Sequence, residues 1–445
     1  MPLFTPELEF TDDYPTIEPS LKLDFANARA LDPRITFTRA STATYVGANG
    51  LIKTAGEDEP RFDHDPTTGE SLGLLIEEPR TNILKGTSTA GNFTNSGGYW
   101  TIGGNRASQG SDQTAPDGTS SAFNIVYNGT AGDANIYYSD AGNNGGGEAP
   151  TSNSTVYTLS VFAKIPSGNS YIEGIRIRTY NTNHSCEFNL STGTIVGTSE
   201  GATTNTIEAY PNGWYRCSIT FTSGTDGNQG VQLYLFNSTS NTALDNSSAN
   251  GESLYLWGAQ MEAGSFPTSY IPTSGSTVTR AVDDASITGE SFSSWYNDTE
   301  GTIVLDGNYL SSTVQSFRNG VVAQFLDSAP PPVNTHGIAI DSRNNGGATT
   351  LTTAGGTNQY FQIGTIGNDG IRRRIAAFSY GEISHAYTSD GLYPTIETSV
   401  LTPVVNSMRI GNYGGTAGFL GNGYFNRILY YPKRLTNAQL QTLTQ

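Results

Sequence analysis

The sequence predicts an all-β fold: two antiparallel β-sandwiches of the jelly-roll kind, preceded by an extended N-terminal arm and a short β-segment. Three observations predict it. Apolar and polar residues alternate with a period of two in run after run, as strands with one buried face require. Turn-forming Gly, Asn, Asp and Ser separate those runs, and glycine alone occurs 52 times. Charged residues make up only 14% of the chain, against about 25% in a typical globular protein.

The first twenty-odd residues carry Pro2, Pro6, Pro15 and Pro19 among acids. Repeated proline prevents regular strand pairing or a helix, so residues 1–22 read as an extended arm, either a disordered leader or a docking segment. From 23 to 84, short runs such as Ile35-Thr36-Phe37-Thr38-Arg39 and Gly73-Leu74-Leu75-Ile76 alternate with turns at Asp32-Pro33, Asn49-Gly50 and Asp65-Pro66-Thr67-Thr68-Gly69. Too few apolar residues are present for a separate core, so this β-rich segment is expected to pack on its neighbours.

Residues 85–289 hold the clearest alternation, in Val156–Ala163, Gly174–Arg178, Trp214–Phe221, Gly230–Phe236 and Ser253–Trp257. These describe the first sandwich, with Trp214 and Trp257 in its core. A second set spans 290–445, from Gly301-Thr302-Ile303-Val304-Leu305 to Gly423–Tyr431. A short helix closes the chain, with Thr436 as its N-cap and Leu440 and Leu443 on its apolar edge. No fixed-period repeat occurs, so the two sandwiches are distinct modules.

A length of 445 residues is too great for one core. The net charge of −17 repels phosphate backbones and anionic lipid headgroups, which argues against nucleic acid as a ligand. Cys186 and Cys217 both sit in alternating apolar stretches and read as buried free thiols. The start of the chain lacks the basic and apolar regions of a signal peptide, and no stretch is long and apolar enough for a membrane-spanning helix.

The sequence matches no catalytic pattern. Alternating acids along one strand, as glycoside hydrolases use, do not occur; Glu57-Asp58-Glu59 is consecutive and followed by Pro60, which favours a solvated turn. His64, His184, His336 and His385 stand too far apart for a metal pair. Asp63-His64-Asp65 suggests an acid–base or metal cluster, but the Pro-Thr-Thr-Gly turn that follows favours a hydrogen-bonded corner. No cofactor is expected. Asp283-Asp284, at the junction of the sandwiches, leaves room for a Ca²⁺ site, with a linker charge pair favoured.

Three stretches carry a resemblance. One runs from Leu23-Asp24-Phe25-Ala26-Asn27 through Asp32-Pro33-Arg34-Ile35-Thr36-Phe37-Thr38-Arg39 and Pro60-Arg61-Phe62-Asp63-His64-Asp65-Pro66 to Gly73-Leu74-Leu75-Ile76-Glu77-Glu78-Pro79-Arg80-Thr81-Asn82. The second joins Gly213-Trp214-Tyr215-Arg216 to Leu256-Trp257-Gly258-Ala259-Gln260-Met261-Glu262 and Tyr270-Ile271-Pro272-Thr273. The third is Asn426-Arg427-Ile428-Leu429-Tyr430-Tyr431-Pro432-Lys433-Arg434-Leu435-Thr436. They resemble segments of tailed-phage virion structural and tail proteins, in which 85–289 is similar to a carbohydrate-binding-module-like jelly roll and 290–445 to a concanavalin A-like, laminin-G-like sandwich. The resemblance implies a virion protein assembled in the host cytoplasm, mounted as fibre, tail or capsid decoration among other virion proteins. A host-surface or environmental glycan is its implied ligand, a homo-oligomer, most simply a trimer, its implied state, and no catalytic residue is implied. A polysaccharide-degrading glycoside hydrolase and a purely architectural spacer are the competing expectations.

Sugars stack on aromatic faces and hydrogen-bond to amides and carboxylates, so aromatics beside Asn or Asp in loops are the candidate ligand-binding residues. These are Trp100 beside Tyr99, Tyr138 beside Tyr137, Trp295 in Trp295-Tyr296-Asn297-Asp298, Asp390 with Tyr393, and Asn412 with Tyr413. For any one of them, packing at a sandwich corner is the competing role.

Overall fold

The computed structural model describes residues 14–87, 98–139, 148–199, 204–309, 321–327, 335–340, 348–354, 357–363, 373–381, 384–398, 404–411 and 421–445. Among them the chain is almost wholly β, with α-helix only at Phe25–Ala28, Glu290–Ser293 and Asn437–Leu443. No helix among the described residues is long and apolar enough to cross a membrane.

The alternating runs of the middle region form two antiparallel sheets face to face. One has the order Thr204–Tyr210, Trp214–Thr222, Val156–Lys164, Ser253–Ala263, Phe123–Tyr127, Ala107–Gln109. The other runs Thr194–Ser199, Ser185–Asn189, Gly174–Thr179, Val231–Phe236, Asn135–Tyr138, Trp100–Gly103. Period-two geometry sends Leu159, Val161, Cys217, Ile219 and Met261 inward, against Ile175, Ile177, Phe188, Leu233 and Leu235 of the facing sheet. Both cysteines are buried and free in this core.

The same alternation sends Thr158, Ser160, Phe162, Arg216, Ser218 and Thr220 to the outer face of the first sheet, yet these are buried too. A hairpin of Ala43–Val46 and Ile52–Ala55 covers that face, and Val46 and Ile52 pack with Phe162, Tyr210, Trp214, Trp257 and Tyr270. Trp214 and Trp257 are therefore core residues, although of this outer cluster rather than of the sandwich interior.

The second sandwich reaches back across the whole chain. Among the described residues its larger sheet has the order Thr395–Thr398, Ser384–Ser389, Arg373–Tyr380, Gly301–Tyr309, Gly423–Tyr431, Ser71–Ile76, Arg61–His64, and Leu21–Asp24 also pairs with Gly423–Tyr431. Leu21 lies opposite Tyr430 and Leu23 opposite Ile428. Gly73 is a strand residue at φ 85°, where any Cβ would strike the Phe425 carbonyl of the last strand. The smaller sheet runs Thr36–Thr38, Asp284–Thr288, Ser407–Ile410, Val321–Leu326, Thr335–Ile340, Ala348–Ala354, Thr357–Ile363. Leu21, Leu23, Phe25, Phe37, Leu74 and Ile76 share one core with Ile303, Phe325, Met408, Ile428 and Tyr430. The sandwich expected over 290–445 thus takes strands from residues 21–76 and from Asp284–Thr288, and Leu21 and Lys22, expected in the arm, already belong to a strand. At the other end Thr436 caps the closing helix as expected, in a capping box with Gln439, and Leu440 is buried.

Where the N-terminal segment meets both sandwiches, the chain buries charge. Arg61 Nη1 lies 2.7 Å from Glu77 Oε2, Arg280 Nη1 lies 3.0 Å from the same oxygen, and Asp283 takes Arg39 at 3.1 Å and Arg61 on its other oxygen. Ser269 completes Glu77 through its N–H at 2.8 Å and its hydroxyl at 2.6 Å. Asp283 is therefore a linker charge partner for arginines, and its oxygens are spent on them rather than held open for Ca²⁺. Asp284 pairs with Arg409 at 3.4 Å.

A fragment that begins at residue 290 lacks five of these strands, Leu21–Asp24, Thr36–Thr38, Arg61–His64, Ser71–Ile76 and Asp284–Thr288. We expect it to lose native β-structure and aggregate through its unpaired edges, whereas the full chain unfolds cooperatively. Circular dichroism and size-exclusion chromatography of the two proteins check this.

Candidate functional site

The polar outer face of the jelly roll does not close completely against its cover. Between them lies a cavity of about 410 Å³, floored by Thr206, Ser218 and Thr220 of the jelly-roll sheet. That volume falls within the range of small-molecule sites, roughly 300–1,000 Å³. Its walls are Asp63 and His64 from the N-terminal segment, Phe162, Tyr210, Arg216 and Tyr270 from the jelly roll, and Asn308 and Tyr424 from the second sandwich. Exposed Glu208 marks its mouth.

A local irregularity positions the acid and the imidazole. In a regular strand Asp63 and His64 would point to opposite faces, but the pairing of Arg61–His64 with Ser71–Ile76 shifts register between them, and both side chains are buried. Asp63 Oδ1 accepts from the N–H of Val46 at 2.6 Å and of His64 at 3.0 Å. His64 Nδ1 donates to the Val46 carbonyl at 3.1 Å, while its Nε2 is buried without a partner. Asp65 instead makes the expected corner, its Oδ1 accepting from Thr67 N at 2.9 Å, Thr67 Oγ1 at 2.7 Å and Thr68 N at 2.8 Å. The trio suspected from sequence therefore splits: one acid builds a turn, and the other two residues face the cavity.

Two buried carboxylates of this segment titrate in opposite directions. Burial would raise Glu77, but Arg280, Arg61 and Ser269 hold it down to about 2. Burial raises Asp63 to about 7, against the pull of the Val46 and His64 amides and of Arg61, whose charge is shared with Asp283 and Glu77. Desolvation also lowers His64, so its ring is neutral. Tyr45, Tyr210 and Tyr424, all close to Asp63, are pushed upward chiefly by burial and remain phenols.

Arg216 is the cation of the cavity wall. It lies 5.3 Å over the Phe162 ring, donates to Ser160 Oγ at 3.2 Å, and stands opposite Glu208 in the strand register, while its Nε lacks an acceptor. The arrangement of hydroxyls, aromatic rings, one acid and one guanidinium is chemically suited to a small polyhydroxylated ligand. Among the described residues no group of three or more His, Cys, Asp or Glu could hold a metal.

The loop aromatics chosen from sequence lie elsewhere. Trp100 and Tyr138 are buried in the jelly-roll core, edge to face at 5.3 Å, and Trp100 Nε1 donates to the Lys85 carbonyl. Trp295 is buried among Phe292, Tyr296, Phe325 and Tyr430 in the second sandwich. These three fill the packing role rather than a surface one, because adjacent turns fold them inward. Tyr393 is 72% exposed, beside exposed Asp390. Asn412 and Tyr413 lie outside the described residues. The cavity residues Arg216, Tyr210 and Tyr424 were missed. The available signal was that Arg216, Ser218 and Thr220 alternate with inward Cys217 and Ile219, so that one face of a long strand is polar.

No protein-family model matches the chain, and no curated protein does. Among solved structures, the carbohydrate-binding module CBM40 of a Ruminococcus gnavus IT-sialidase aligns over 35% of this chain and 88% of its own, at 12% identity and a TM-score of 0.30. The mouse laminin alpha1 chain, domains LG4-5, aligns over 65% of this chain and 87% of its own, at 10% identity and a TM-score of 0.23. A Trypanosoma rangeli sialidase aligns over 76% and 61%, at 11% identity and a TM-score of 0.25. None of these likenesses assigns a role to a residue of this chain.

The carboxyl of Asp63 also sets a pH dependence. Between about pH 4 and pH 7 the folded chain keeps this proton while the unfolded chain loses it, so the stability cost grows as pH rises through that window and is complete above it. Asp63→Asn retains the acceptor for both amides and removes the charge. We expect it to stabilise the protein by on the order of 1–4 kcal/mol at pH 8 and by far less at pH 4, as measured by urea unfolding at the two pH values.

Proposed function

We propose that this chain is a non-catalytic, glycan-binding component of a bacteriophage particle, mounted as fibre, tail or capsid decoration, with the cavity on the jelly-roll face as its sugar site. The observation that carries the glycan part is the hydroxyl floor of that cavity, with aromatic walls and the polar pair Asp63 and Arg216. A void of this size lined by hydroxyls is a wet one, and a sugar replaces its waters with like hydrogen bonds while placing a C–H face on the partly exposed wall ring of Tyr424. The resemblance of the Leu23–Asn82 and Asn426–Thr436 stretches to phage structural proteins supports the virion placement. Assembly on a symmetric particle favours a homo-oligomer, a trimer in a fibre.

A second reading, a glycoside hydrolase, draws on Asp63, an acid held partly protonated near neutral pH, in the same cavity as Glu208. Release of reducing ends from host capsule or lipopolysaccharide, lost in Asp63→Asn, would put this reading in place of the first.

Thr206 lines the floor on a strand at the edge of its sheet and is partly exposed, so a large side chain fits there without entering a core. Thr206→Trp is expected to fill the cavity and weaken glycan binding by roughly tenfold or more, about 1.4 kcal/mol, with the circular dichroism spectrum unchanged. A glycan array followed by calorimetry on both proteins checks this.

A further inference from the structure

We infer that the cavity selects a neutral, hydroxyl-rich sugar through the open oxygen of Asp63, and turns away sugars that carry a carboxylate or a sulfate. The inference rests on the cavity being the sugar site, and it adds the chemical class of the ligand and the residue that sets it.

Asp63 is only 4% exposed and borders the cavity. Oδ1 is satisfied by the Val46 and His64 amides, while Oδ2 has no hydrogen-bond partner among the described residues. Oδ2 therefore opens onto the cavity with no protein donor, and a ligand that brings its own donors can engage it there. The nearest cation does not serve: Arg61 is committed to Glu77, Asp283, the Thr44 carbonyl and the Ser269 hydroxyl.

The cavity wall also carries Arg216, whose guanidinium donates to Ser160 Oγ and stands opposite Glu208 in register. A sugar hydroxyl can donate to the open oxygen of Asp63, which a group made only of acceptors cannot do. A carboxylate or sulfate has only acceptors. It could answer Arg216, but it would meet Asp63 and Glu208 without a proton to offer, and the charge of Arg216 is already opposed by Glu208 in register. Glu77, the further acid on the wall, is neutralised by Arg61 and Arg280, so it neither helps nor hinders. The balance of the cavity is therefore acidic, which repels anionic ligands and tolerates neutral ones.

The test uses the full chain at pH 8 on an array of neutral, sialylated, uronate-containing and sulfated oligosaccharides, followed by calorimetry with the tightest binder. Three proteins are compared: wild type, Asp63→Asn, which keeps the Oδ1 acceptor but replaces Oδ2 with a donor, and Thr206→Trp. The expected result is binding of neutral glycans alone, weakened about tenfold or more in Asp63→Asn. Preference for acidic glycans, or neutral binding unchanged in Asp63→Asn, overturns the inference while the site stands, provided that Thr206→Trp still removes binding. Binding untouched by Thr206→Trp, or no binding by wild type, overturns the site reading and this inference with it.

Discussion

The buried lattice of Arg39, Arg61, Arg280, Glu77 and Asp283 is the constraint on which the arrangement of this protein depends. Each of these side chains is almost fully removed from solvent; Arg39, Arg61 and Glu77 come from three stretches of the N-terminal segment, and Arg280 and Asp283 from the linker between the sandwiches. Withdrawing five charges from water costs several kcal/mol apiece, and the cost is offset only when every charge finds its partners at hydrogen-bonding distance. Removing one member leaves another stranded, a loss on the order of 3–5 kcal/mol. Such a lattice is thus satisfied in one geometry and penalised in its neighbours. A well-packed apolar junction could be as stable, but it would tolerate sliding. Here Glu77 must reach Ser269 of the jelly roll and Arg280 of the linker at once, which fixes how the N-terminal segment sits against that module.

The lattice also explains the character of the cavity. Arg61 and Asp63 share a strand and are two residues apart, so a free Arg61 would neutralise the acid beside it. Instead its guanidinium is drawn to Glu77 and Asp283. Asp63 is left buried with only backbone donors, and its carboxyl rises where that of Glu77 falls. One set of contacts thereby makes the junction and leaves one carboxylate without a cation of its own next to it. The bulge after Asp63 performs the other half of the task by turning His64 inward as well, so that the wall is closed by a neutral ring instead of opening to solvent.

What the sequence made legible follows from which interactions are local. Strand alternation in Val156–Lys164 and Trp214–Thr222 reports burial of one face and is visible residue by residue, as is the Thr436 cap of the last helix. The pairing of Leu21–Asp24 with Gly423–Tyr431 joins stretches roughly four hundred residues apart and has no local signature, so alternation alone places the start of the second sandwich near residue 290. Loop aromatics misled for a related reason. Trp100 stands among glycines and polar residues that mark turns, but its strand pairs with Asn135–Tyr138 at the sheet edge and the indole turns into the core. Tyr393, flanked by Gly391 and Pro394, had the same sequence context and did stay at the surface. Composition cannot separate these cases, because the deciding quantity is which neighbour covers the turn. Asp63-His64-Asp65 was half legible: the turn at Asp65 is written in Pro-Thr-Thr-Gly, whereas the bulge that buries its two predecessors depends on strand Ser71–Ile76.

The outer face of the jelly roll is polar although it is covered. A sheet that exists only to be covered by another layer gains most from apolar residues, at about 25 cal/mol per Å² buried. Thr158, Ser160, Ser218 and Thr220 are almost completely buried, and their cross-strand partners on this face are all polar too. Thr158 and Thr220 satisfy one another at 3.0 Å, and Ser218 bonds Thr206 at 2.6 Å. Arg216 follows Ser218 on the same face, and beyond it Trp214, with Phe162 on the neighbouring strand, makes apolar contact with the covering hairpin. The hydroxyls of Thr206, Ser218 and Thr220 border the cavity together with the rings of Tyr210 and Tyr270. Stability alone would favour extending that apolar contact across the whole sheet. The hydroxyl floor is what the proposed sugar site rests on, since ligand hydroxyls can replace those of water there.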